Sequence, residues 1–159
     1  MTRGYVGQVA GYDYTNHDED IYVGYRFFDT FNREVAYPFG FGLSYTTFQI
    51  LEAAVDGETV RTTVRNTGNR DGETVIQVYA GCESPLAPKH PKLCGFGRIA
   101  VNAGETREIS IRLDPLTWTV VDEQGVRQTA EHGILYVGLY QPDARSTELT
   151  GASPVQIKK

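Results

Sequence analysis

The feature that most constrains this chain is a pattern of short alternating runs, cut by turn residues, that occupies everything after Ser44. Thr59-Val60-Arg61-Thr62-Thr63-Val64-Arg65 sets Val60, Thr62 and Val64 on one face and Arg61, Thr63 and Arg65 on the other, the period of two that a half-buried strand requires. Tyr45 to Val55 is rich in strand formers and stops at the turn dipeptide Asp56-Gly57. Asn66-Thr67-Gly68-Asn69 reads as a turn, with Asn66 bonding its own turn, because Asn and Gly tolerate positive φ. Glu73 to Ala80 alternates again, with Val75, Gln77 and Tyr79 opposing Thr74, Ile76 and Val78. Further strands are expected over Leu93 to Val101, Thr106 to Leu113, Trp118 to Val121 and Ile134 to Tyr140, with Glu148 to Ile157 as a last edge strand. Ser84 to Pro91 carries Pro85, Pro88 and Pro91, is excluded from any central strand, and is expected to cross between sheets. With no convincing helical period, the chain reads as an all-β sandwich of about seven strands.

The aromatic residues are distributed unevenly. Of 10 Tyr, 7 Phe and 1 Trp, 13 lie between Tyr5 and Phe48. This change of composition sets a domain boundary between an irregular aromatic-rich extension, residues 1–43, and a sandwich domain, residues 44–159. Tyr22, Tyr25, Arg26, Phe27, Phe28, Phe31, Tyr37, Pro38, Phe39 and Phe41 are the candidate docking residues, since the eight Tyr and Phe among them supply more ring area than a sandwich of this size needs. Packing on another domain, wrapping the chain's own sandwich, stacking on a sugar and self-association through the strip all remain open at this level. For a sugar platform on the sandwich itself, Trp118 and Tyr140 are the candidates.

Composition excludes other classes. Lys plus Arg number 15 against 20 Asp plus Glu, a net charge of -5, and no basic stripe is present, so nucleic acid is not expected as a partner. No window approaches the ~20 apolar residues of a membrane span. Met1 to Tyr5 lacks the apolar core of a signal peptide, which sets a cytoplasmic expectation. Cys82 and Cys94 are expected to be half-buried thiols, joined only in an oxidising compartment.

Catalytic signals are missing. His17, His90 and His132 stand far apart without a Ser/His/Asp order. His17-Asp18-Glu19-Asp20 lacks the spacing of a calcium loop, and Gly40-x-Gly42 lacks the third glycine of a phosphate loop. Asp29, between Phe28 and Thr30, reads as a turn cap or buried hydrogen-bond partner. No catalytic residue, metal site or cofactor is expected.

Tyr25-Arg26-Phe27-Phe28-Asp29 and Tyr37-Pro38-Phe39-Gly40-Phe41-Gly42-Leu43-Ser44-Tyr45-Thr46-Thr47-Phe48 resemble the signature of the family 3 glycoside hydrolases, at the junction of an α/β-sandwich domain with a C-terminal fibronectin type III-like domain. Val64 to Gly68, Gly72 to Tyr79, Pro91 to Phe96, Ala103 to Thr106 and Gly133 to Gly138 are similar to the type III-like domain itself. The resemblance covers roughly residues 19 to 150 and implies an immunoglobulin/fibronectin type III-like sandwich. It further implies a parent β-glucosidase-type enzyme whose nucleophilic Asp and acid/base Glu reside on other domains, with no counterpart here. The aromatic residues would then dock on those catalytic domains, with Gly40 and Gly42 permitting close approach and Arg26 an ion-pair donor or a solvated charge.

Overall fold

The computed structural model describes residues 6–9, 12–15 and 21–159, which form two compact units, Met1–Glu34 and Val35–Lys159. The units therefore divide ahead of the boundary that composition suggests, and residues 35–43 travel with the sandwich. The acidic run His17-Asp18-Glu19-Asp20 lies outside the described residues.

In the first unit, β1 (Val6–Val9) pairs antiparallel with β2 (Tyr12–Thr15), with Val6 opposite Thr15 and Val9 opposite Tyr12. α1 (Tyr25–Thr30) follows, entered through Gly24 without a side-chain cap. The extension is thus more regular than its sequence implies. A helix of six residues is under two turns and leaves no periodicity to read.

The second unit contains β3 (Phe48–Asp56), β4 (Thr59–Asn66), β5 (Gly72–Cys82), β6 (Lys92–Val101), β7 (Thr106–Arg112), β8 (Thr119–Val121), β9 (Arg127–Thr129), β10 (Gly133–Gly138), α2 (Ala144–Thr150) and β11 (Val155–Lys158). Strands β3-β4-β7 form a three-stranded sheet and β11-β10-β5-β6 a four-stranded sheet, all pairs antiparallel, while β8 and β9 make a separate hairpin. The expected sandwich is borne out.

Its core lies between the two sheets. Val60 and Val64 of β4 and Ile111 of β7 meet Ile76 and Val78 of β5, Val101 of β6 and Leu135 and Val137 of β10, each at most 2% exposed. Each such side chain contributes roughly 1.5–3 kcal/mol on burial. Thr62 faces the same core, and its hydroxyl donates to the Glu52 carbonyl at 2.7 Å beside the bulge in β3.

Two expectations are corrected. Ser84 to Pro91 does not cross between sheets: it joins β5 to β6, which pair directly in one sheet. The prolines end the strand, as expected, but the chain returns beside the strand it has left. Residues 148–157 are not a single strand, because α2 takes the first part. Asp143 caps α2 by accepting from Ser146 N at 2.6 Å, and Gly151, at φ 68°, ends it in the left-handed conformation that glycine adopts without a Cβ penalty.

Asn66 does bond its own turn, and it reaches further. Its side chain is fully buried, accepts from Gly68 N (3.1 Å) and Thr46 Oγ1 (2.6 Å), and donates to the carbonyls of Arg70 (2.7 Å) and Val101 (2.9 Å). One amide thereby ties the end of β4 to the end of β6 and to the segment that leads into β3.

Candidate functional site

The candidate docking residues fall in both units. In the first, Tyr25, Arg26, Phe27 and Phe28 lie on α1 and are half-buried. Phe27 packs on Phe31 (ring centroids 4.8 Å apart) and edge-on to Phe28 (5.8 Å), and Tyr22 meets Phe31 edge-on at 6.1 Å. Such pairs contribute about 0.5–1.5 kcal/mol each beyond their buried area. Ile21, Val23 and Phe31 stay exposed.

In the second unit, Tyr37, Pro38, Phe39 and Phe41 lie on a strap, residues 35–43, over the outward side of the four-stranded sheet. Pro38 is buried, whereas Tyr37 and Phe39 are exposed. Tyr37 stacks on Phe41 at 5.2 Å, and Phe41 packs on Tyr140 at 5.3 Å. Burial pushes the Tyr140 phenol above its usual range.

Polar side chains of the sandwich hold the strap backbone. Phe39 N donates to Gln141 Oε1 at 3.1 Å, and Gln77 Nε2 donates to the carbonyls of Gly40 (3.3 Å) and Leu139 (3.0 Å). Tyr79 Oη donates to Gln77 Oε1 at 2.7 Å. A guanidinium nitrogen of Arg145 lies 3.5 Å from the Ala36 carbonyl oxygen. Gly40 makes the expected close approach, but to Gln77 of its own sandwich, and Gly42 has nothing within 4 Å of where its Cβ would stand. A groove of about 640 Å³ runs beside the strap, between Phe41 to Ser44 and Glu73, Val75 and Arg98.

Sequence reasoning did not single out Gln77, Tyr79 or Gln141. Alternation sets Gln77 and Tyr79 on one face of the strand, and the structure lays Gly40 of the strap against Gln77, which in turn accepts from Tyr79. The available signal was a polar Gln within residues 75–80, a stretch otherwise apolar on both faces. Trp118 and Tyr140 are both engaged in packing: a Cβ at Gly133 would fall against the Trp118 ring, Lys159 Nζ stands 5.1 Å from its centroid, and Tyr140 carries Phe41.

The thiols are free. Cys94 donates to the Val78 carbonyl at 3.2 Å, and its burial pushes its pKa up to about 12. Cys82 is half-buried and also raised, chiefly by burial, against the opposing pull of Lys92 and Lys159. In the β5–β6 register Cys94 stands at the bulge opposite Val78 and Tyr79. More than three residues of strand, about 10 Å, therefore separate it from Cys82, beyond the ~7 Å Cα limit of a disulfide.

Among the described residues no group of three or more His, Cys, Asp or Glu could hold a metal ion, and no helix is long and apolar enough to cross a membrane.

Sheet order, strand pairing and core define a fibronectin type III-like domain, and residues 74–139 match the family of that description, the fibronectin type III-like domain. The relatives place it with that domain of the GH3 β-glucosidases. The chain is 38% identical over 120 residues to the probable beta-glucosidase K of Emericella nidulans, covering 74% of this chain and 14% of the relative. It is 40% identical over 108 residues to an exo-alpha-(1->6)-L-arabinopyranosidase of Bifidobacterium longum, covering 64% and 14%. The crystal structure of the Bifidobacterium adolescentis GH3 beta-glucosidase superposes with a TM-score of 0.71 at 33% identity, over 91% of this chain and 22% of that one. The chain thus spans about 14–16% of the length of the curated relatives it matches.

Proposed function

We propose that this chain is a non-catalytic accessory domain of a family 3 β-glycosidase, and that its aromatic residues dock on the catalytic domains of that enzyme. The parent would hydrolyse β-linked glycosides; this domain would brace it. The observation that carries the reading is the strap. Its backbone is fixed to the sandwich, yet Tyr37 is 64% and Leu43 91% exposed. Large apolar side chains held outward on an anchored segment are what an interface with a further domain requires. The relatives support it, since they are glycosidases several times longer than the stretch matched here.

Glycoside hydrolysis needs two carboxyl groups flanking the scissile bond at about 5 Å or about 6.5–9.5 Å in a cleft. The groove beside the strap is lined by one carboxylate, Glu73, and so by no such pair. The isolated chain is therefore expected to leave aryl β-glucosides unhydrolysed, and turnover at enzymatic rates would overturn the reading. Locating the Tyr37 to Thr46 peptide in size-separated extract of the source tests the partner. A band several times larger than 17.7 kDa supports the accessory role, and a band near 17.7 kDa contradicts it.

A further inference from the structure

Beneath the strap, Pro38 is buried and Phe41 packs on Tyr140, but the groups that hold its backbone are polar. Gln77, Tyr79 and Gln141 are only 4%, 1% and 3% exposed, although Gln77 and Tyr79 occupy outward positions on β5. A buried amide is tolerated only while its hydrogen bonds are made. Lifting the strap exchanges those bonds for bonds to water, so the uncovered amides are not orphaned. The apolar core on the other side of β5 is untouched by that motion, because Ile76, Val78 and Ala80 point to the opposite sheet. Apart from Pro38 and Phe41 the strap residues buried against the sandwich are few, and segments that bury little apolar surface open locally below the global unfolding free energy.

We propose that residues 35–43 are a releasable strap, latched by Gln77 on Gly40 and by Gln141 on Phe39, which opens and closes over the four-stranded sheet while the sandwich stays folded. Closed, it presents Tyr37 and Phe39 in one fixed geometry; open, it frees them and hydrates Gln77. Gly40 is the keyed position. Its φ is +75°, and a Cβ there would stand 2.5 Å from Gln77 Oε1, so any side chain displaces either the strap or the amide that holds it. The proposal stands on this geometry and does not depend on the accessory role.

Residue-resolved amide hydrogen exchange on the full 159-residue chain tests it. In Gly40→Ala and in Gln141→Ala, exchange at Phe39 N–H should rise about tenfold or more, while the amides of Val78 and Val137 stay within about twofold of the parent. No change at Phe39, or equal acceleration in the strands, overturns the proposal. So does a Gly40→Ala chain that fails to fold, since a releasable strap cannot carry the fold. In Gly40→Ala/Gln77→Ala the clash is gone, so the combined acceleration should fall below the product of the two single effects; a simple product overturns the pairing of these two residues.

Discussion

The two sheets share one core but treat their outer faces differently. On β3-β4-β7 the outward pairs are Arg61 with Ser110, Thr63 with Glu108 and Arg65 with Thr106, and these residues meet solvent. On β11-β10-β5-β6 the corresponding positions hold Gln77, Tyr79, Tyr136 and Phe96, and the strap covers part of them. Alternation reports which side of a strand faces the partner sheet. It does not report whether the other side is wet, because a segment distant in sequence decides that. The partly covered outer face is where residues 35–43 hold Tyr37 and Phe39 exposed.

The largest expected effect comes from removing the amide that ties both sheets together. Asn66→Ala leaves Gly68 N and the Arg70 and Val101 carbonyls without their partner, and should cost about 3 kcal/mol or more. Urea unfolding reads it, and a loss below about 1 kcal/mol would mean that water replaces the amide. Next is the alkaline limb of stability. Below pH 9 the Cys94 thiol is neutral in folded and unfolded chains alike. Above that value the unfolded chain ionises first, so the stability contributed by the buried neutral thiol is lost progressively toward pH 12. Cys94→Val should flatten the fall of the urea midpoint above pH 9. The flattening is incomplete because Cys82 and Tyr140 shift in the same direction.

The outer faces are then compared directly. Gln77→Ala, on the covered face, removes the partner of Gly40, Leu139 and Tyr79 and should cost about 1–2 kcal/mol. Asp143→Ala removes the cap of α2, for about 1 kcal/mol by thermal unfolding. Arg61→Ala, on the wet face, breaks an ion pair with Asp56 whose side chains are 56% and 72% exposed, and should change stability by no more than about 0.5 kcal/mol. If Arg61→Ala cost as much as Gln77→Ala, the contrast between the faces would fail.

Much of the fold was legible. Alternation sets Val60, Thr62 and Val64 on one face, and that face is buried in the structure. α2 escaped because a seven-residue helix has no measurable period, although its signals, Asp143 before it and Gly151 after it, stand in the sequence. The Ser84 to Pro91 connection was misread because proline reports where a strand stops, not where the chain goes next.

Of the candidate site, the strap aromatics were visible as composition, but their anchors were not. Gln141 lies 102 residues from Phe39 and Gln77 lies 37 from Gly40, distances over which no local pattern extends.

By itself the sequence determined what depends on near neighbours: strand periodicity, turn chemistry, the inward face of each strand and the concentration of aromatic residues before Phe48. Only the tertiary structure decided which outer face is partly covered, why a Gln and a Tyr on it are buried, and why a side chain at Gly40 would collide with Gln77. Those outcomes depend on contacts between remote segments, where a buried polar group is tolerated only if another part of the chain arrives to bond it.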